Sequence, residues 1–209
     1  HLDVTISKLN ASTTFRHKLW GMKIAYDAQL NYKREEGKLN FTTSEYMQET
    51  QALLTPSISY SNTSGLSLSA SASMNLSRYD LPHDGRTQFH IMPSAGVQYQ
   101  LNATSDIQAG YRLTYSVMPF LTITSLPYYA SYSSQTGGNG KWNDLATHVG
   151  YASFKYGDPV IGLFFNMNGN YSKTLHQKLY DSWLTNDVYH SQLSDVEGTY
   201  TTKTLAGNI

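Results

Sequence analysis

Hydrophobic and polar residues alternate along most of this chain with a period of two. Ile58 to Leu76 shows it best: Leu66, Leu68, Ala70, Ala72, Met74 and Leu76 share one side of an extended segment, while Ser67, Ser69, Ser71, Ser73 and Asn75 take the other. Asn62-Thr-Ser-Gly65 separates this run from Ile58 and Tyr60, the signature of two antiparallel strands joined by a tight turn. One face is apolar throughout, and the other is small and uncharged. Lipid on one side and a polar lumen on the other account for that contrast better than a soluble sheet does.

The remaining segments extend the pattern to about nine strands. Leu2, Val4 and Ile6 predict a short first strand, followed by a turn over 8–13. Trp20, Met22, Ile24, Tyr26, Ala28, Leu30 and Tyr32 form a long stripe with aromatic residues at both ends, as the two interfacial girdles of a membrane wall require. Opposite it lie Asp27, Gln29 and Asn31. Phe89–Leu101 and Ile107–Val117 make a second hairpin, with Gln108 and Arg112 on its polar side. Pro93 lacks a ladder donor, so it is expected at a bulge or above the membrane. Segments 143–156 and 160–172 make a third hairpin, with Asn166, Asn168 and Asn170 opposite Leu163, Phe165 and Met167. Phe154 and Tyr156 fall out of phase with Val149 and Tyr151, which suggests a bulge. A last strand starts near Thr199. Connections at 62–65, 102–105 and 157–159 read as short, and those at 33–50, 78–88, 118–142 and 173–198 as long. Short and long alternate, as in an up-and-down transmembrane barrel.

Composition sharpens this. Only 14% of residues are charged, against roughly 25% in ordinary globular proteins. Aromatics reach 13%, with 17 Tyr, a ring suited to interfaces. Fifteen basic residues balance fifteen acidic ones, which argues against a nucleic-acid partner. Cysteine is absent, which removes disulfides, thiolate metal sites and cysteine nucleophiles. No apolar run is long enough for a membrane helix, but barrel strands need only about 9–11 residues.

Of the seven histidines, His83 beside Asp84 with His90 beyond, and the pair His176 and His190, lack the spacing of a catalytic or metal site. Six Asn-X-Ser/Thr triplets follow from a chain rich in Asn, Ser and Thr, and several fall on strands or tight turns. The loop from Leu126 to Trp142 is the binding candidate. Tyr128, Tyr129, Tyr132 and Trp142 could stack on a sugar or a planar ligand at the mouth of a barrel. No cofactor, metal site or catalytic residue is expected.

Phe154-Lys155-Tyr156, the Asp158-Pro159 turn and the apolar return strand closing on Tyr171-Ser172 resemble a strand–turn–strand unit of TonB-dependent receptor barrels of the Bacteroidetes type. The resemblance implies a barrel of about 22 strands with a plugged lumen, importing a scarce nutrient across the bacterial outer membrane with energy supplied through TonB. Its partners would be outer-membrane lipid, the rest of the barrel and the plug. Residues 1–209 would form a single internal barrel segment. The expected fold is therefore all-β, an antiparallel up-and-down meander forming part of a transmembrane β-barrel. A small autonomous barrel serving as adhesin, structural protein or hydrolase, and a soluble secreted β-sandwich binding module, are the alternative readings.

Overall fold

A computed structural model describes residues 2–39, 43–81, 85–117, 120, 128–139, 141–142 and 144–208. Among the described residues nine long strands follow one another: β1 (Leu2–Leu19), β2 (Met22–Leu39), β3 (Thr43–Ser61), β4 (Leu66–Asp80), β5 (Gly85–Asn102), β6 (Ser105–Val117), β9 (Asp144–Asp158), β10 (Leu163–Thr185) and β11 (Val188–Asn208). Two four-residue strands, β7 (Tyr128–Ser131) and β8 (Ser134–Gly137), interrupt the series. All eleven belong to one sheet, in the order β1-β2-β3-β4-β5-β6-β9-β10-β11-β8-β7. Every neighbouring pair is antiparallel except β8 with β11. The fold is an antiparallel meander.

The strands are longer than the polarity pattern suggests. β2, β3, β4 and β5 run through the segments expected as loops at 33–50 and 78–88. The segment 173–198 likewise belongs to β10 and β11, joined at Asn186-Asp187. A strand of about 18 residues reaches roughly 60 Å, twice the hydrocarbon thickness of a bilayer of about 30 Å. Beyond such a layer both faces are wet, so alternation fades while the ladder continues. The start of the chain also differs from expectation. β1 is unbroken across 8–13, and Trp20-Gly21, expected inside a strand, is the turn after it. Trp20 and Gly21 both have positive φ, as do Asn186 and Asp187, which is the geometry of a type I′ hairpin.

The 62–65 turn follows its sequence. Asn62 Oδ1 accepts from Leu66 N at 2.9 Å, and Gly65 takes φ +84. A Cβ there would lie 2.7 Å from the Gln100 carbonyl oxygen of the neighbouring hairpin. The Asp158 carboxylate caps the third turn, accepting from Val160 N (2.9 Å) and Ile161 N (3.3 Å).

Register carries the two faces across the sheet. His17, Ile24, Ile58, Ala70, Ala95, Tyr111, Gly150, Tyr171 and Lys203 form one continuous row on the apolar face, from β1 to β11. That row begins just before the Trp20-Gly21 turn and reaches the middle of β10, where apolar residues lie nearer the turn, at Phe165 and Met167. The apolar belt thus slides along successive strands, as tilted strands of a barrel wall require. No bulge interrupts β9, whose pairing with β6 and β10 is continuous. Phe154 belongs to the apolar face, and Val149 and Tyr151 belong to the polar one.

The ladder breaks at prolines instead. Pro93 pairs with Ala72 of β4, so its missing donor falls on the β6 side, where pairing stops at Ser94 and Arg112 although both strands continue. Pro93 thus lies at neither a bulge nor a strand end. Pro56 interrupts β3–β4 pairing between Leu54 and Ser57, and a Thr55–Ser73 hydroxyl bond of 2.9 Å spans the gap.

Burial is inverted relative to a water-soluble fold. Among the described residues, the buried apolar side chains are Met47, Tyr79, Phe120, Trp142, Ala146 and Leu193, while Leu30, Leu76, Phe89, Ile91 and Leu205 on the apolar face are at least half exposed. Exposed apolar surface on this scale marks a face that meets something other than water.

Candidate functional site

Asp27, Gln29, Asn31, Gln108, Arg112, Asn166, Asn168 and Asn170 all fall on one face of the sheet. The register joins Gln108 to Gln98 and Ser153, Arg112 to Ser94, and Asn166 to Lys155. Short side chains on β3 and β4 continue this face toward Asp27, Gln29 and Asn31 on β2. Hydrogen bonds knit it together: Thr14 Oγ1 donates to Asp27 (2.6 Å), Asn31 Nδ2 donates to Gln51 (2.8 Å), and Ser71 and Ser94 share a bond of 2.7 Å. Ring-on-backbone packing also occurs here. Tyr151 lies over Gly110, where an added Cβ would meet its phenol oxygen at 2.5 Å, and reaches toward Gly96 in the next strand. The phase of Tyr151 thus reflects no bulge, and Gly110 and Gly96 on the two preceding strands are the sequence signal for a ring on the polar face.

At the end of the sheet away from the Trp20-Gly21 turn, the long β6–β9 connection folds back onto this face. Trp142 packs on Tyr79 with ring centroids 4.0 Å apart, inside a buried cluster with Met47, Phe120 and Leu193. Met47 belongs to β3 and Leu193 to β11, six positions apart in the sheet order. A flat sheet could not bring them into one cluster, so the polar face is concave. Burial pushes the Tyr79 phenol well above its ordinary pKa; a hydrogen bond with Ser77 opposes this and the nearby Glu49 carboxylate adds to it.

A second set of contacts fastens the connection to β11. β8 pairs with Tyr189–Gln192, and Tyr189 N donates to Ser133 O at 2.8 Å. Lys141 Nζ and Asn139 Nδ2 both reach the Asp195 carboxylate, at 2.6 and 3.1 Å. The Lys141 bond holds the Asp195 pKa below its usual range. Nearby, Glu197 accepts from Lys178 at 2.8 Å and pairs with His176 at 2.9 Å, and these partners lower its pKa in that order.

Among the described side chains, Tyr129, Tyr132 and Trp142 do not form one platform. Trp142 is 8% exposed and holds the connection down, so it is not a free stacking surface. Tyr129 and Tyr132 project outward, 66% and 106% exposed. The side chain of Tyr128 lies outside the described residues, as do His83 and Asp84. His90 stacks on Tyr115 (4.1 Å) and pairs with Asp144 (3.3 Å) where the β5–β6 ladder has ended. Among the described residues no cluster of three or more His, Cys, Asp or Glu could hold a metal ion. The partners that fasten the connection, Tyr79, Met47, Leu193 and Asp195, come from strands distant in sequence, and no local pattern marks them.

No family model and no curated protein matches the chain. Among solved structures it is similar to the copper transporter OprC, with a TM-score of 0.67 and 14% identity over 99% of this chain and 35% of that one. It is also similar to a chain of the FpvAI–pyocin S2 complex, with a TM-score of 0.58 and 11% identity over 99% of this chain and 32% of that one. The likeness is one of fold, and the chain spans about a third of the length of each.

Proposed function

We propose that this chain is wall and mouth of an outer-membrane transporter barrel of the TonB-dependent receptor type, part of a longer barrel that takes up a nutrient and performs no catalysis. One observation carries the reading: a single register holds apolar side chains on one face and polar ones on the other across the long strands. Lipid covers the apolar face. The concave face, with Asp27, Gln29, Asn31, Gln108, Arg112, Asn166, Asn168 and Asn170, lines a wet lumen. The fold likeness to OprC and the resemblance of the 154–172 hairpin to TonB-dependent receptors support this assignment. A plug and the TonB system would be partners of the whole protein. Tyr129 and Tyr132, exposed on the fastened connection, are the ligand-contacting rings at the mouth.

The chain has no cysteine, so single cysteines report cleanly. In outer-membrane preparations, cysteines at Gln29, Gln108 and Asn168 should react with a water-soluble, membrane-impermeant maleimide. Those at Leu30, Ile107 and Met167 should stay protected until detergent is added. Equal labelling of both sets would sink the proposal.

A further inference from the structure

On the apolar face of β1–β5 there is a groove of about 640 Å³, almost wholly apolar in lining. Small side chains make it: Ala11, Ala28 and Ala52 leave a hollow beside Leu54, Leu76 and Phe89. A wall needing only to be greasy has no reason to be indented here. Immediately past the groove, toward the end that carries the fastened connection, the same face presents two exposed arginines. Arg78 follows Leu76 by one step on that face, and Arg34 follows Tyr32. Their side chains are 68% and 47% exposed. Arg78 pairs with Asp80 at 3.2 Å, and Arg34 with Glu36 at 3.4 Å. Lys38 also reaches Glu36, at 3.3 Å, and lies opposite Asp3 in the β1–β2 register, so basic and acidic positions balance here. Both guanidinium groups belong to residues nearer the groove than their carboxylate partners; Arg34 also lies over the Tyr46 ring, 5.3 Å from its centroid, and among the described residues each keeps donors free for a second anion.

We infer that this groove and the arginines beyond it form a binding site for one anionic, phosphate-bearing membrane lipid, an acyl chain lying against Ala28 and Ala52 and the phosphate meeting Arg78 and Arg34. The inference rests on the reading that the apolar face meets lipid, and it adds a defined site to what would otherwise be general solvation. Snorkelling cations above an apolar surface are placed for a head group at the interface.

The test uses the full-length protein in mild detergent, mixed with equal amounts of dioleoyl phosphatidic acid and dioleoyl phosphatidylcholine, with retained lipid counted by native mass spectrometry. Wild type should retain one phosphatidic acid in preference to phosphatidylcholine. The double variant A28L/A52L, which fills the groove on an outward face, should lose that adduct while keeping the strand circular dichroism of wild type. R78Q should weaken the preference roughly tenfold, as expected for one charge-assisted contact. Equal retention by wild type and A28L/A52L, no preference between the lipids, or a dimer formed through this face would overturn the site. Insertion into phosphatidylcholine vesicles is measured alongside. If both proteins insert but neither selects lipid, the site falls and the membrane reading stands; if neither inserts, both fall.

Discussion

The Tyr151 ring covers Gly110, its partner across the β6–β9 ladder, at a distance that leaves no room for a Cβ. This is a cross-strand contact in which a glycine, costly to a strand, is covered by an aromatic neighbour. The pair should be coupled. Gly110→Ala and Tyr151→Ala should each destabilise the barrel in denaturant unfolding, and the double variant should cost less than their sum by about 0.5–3 kcal/mol. Additive effects would show that the contact contributes nothing.

Pro93 leaves the upper part of the β5–β6 seam without backbone pairing, and Tyr115 N–H donates instead to Met92 Sδ at 3.4 Å. A thioether is a weak acceptor. Hydrogen exchange at Tyr115 should therefore be faster than at Ala109, which lies within the paired stretch. Pro93→Ala restores the donor and should slow it. Equal protection of the two amides in the wild type would show that the seam is closed by other means.

Trp142 anchors the connection through Tyr79, although its own Nε1 donor is buried without an acceptor among the described residues. Trp142→Phe keeps an aromatic ring, though a smaller one, and removes the orphaned donor, so it should be tolerated. Trp142→Ala should release the connection at a cost of about 3–5 kcal/mol, the usual range for deleting a large packed aromatic. Limited proteolysis near Tyr132 reads the difference, with the strands intact in both cases.

Alkaline pH should loosen the same cluster. Burial raises the Tyr79 pKa in the folded state, so the folded protein holds this proton where the unfolded chain has lost it. The contribution is complete below the ordinary tyrosine pKa of about 10 and is lost as pH rises above it. Proteolytic release of the connection should rise through that window in wild type and much less in Tyr79→Phe. Identical profiles would exclude Tyr79 as the cause.

At the acid end the sign reverses. Asp195 is held below its usual pKa mainly by Lys141, so the tether is intact above the ordinary aspartate value and weakens as pH falls through the lowered one. The carboxylate is solvent-exposed, so the effect should be small and screened by salt. Asp195→Asn should match wild type in acid and be more easily cleaved in the connection at neutral pH. A variant indistinguishable at both would leave β8–β11 pairing as the whole tether.

The sequence alone determined which way side chains point. Period-two alternation is local, so Gln29, Gln108 and Asn168 could be assigned to a polar side strand by strand, and Asn62 and Gly65 marked their turn through backbone chemistry. Strand ends were beyond it. Lys33–Glu36 and Lys173–Lys178 read as loop because above an apolar layer neither face needs to be greasy, and only backbone pairing shows that the ladder goes on. Asn186-Asp187 and Gly21 carried a turn signal, but one masked by the charged or aromatic residues around them. The tertiary structure decided the rest, because it depends on neighbours far apart in the chain. Tyr151 needs Gly110 beneath it, and Trp142 becomes an anchor only because Tyr79 and Met47 curve round to meet it. The alanines at 11, 28 and 52 become a groove only when register gathers them around Leu30 on three neighbouring strands.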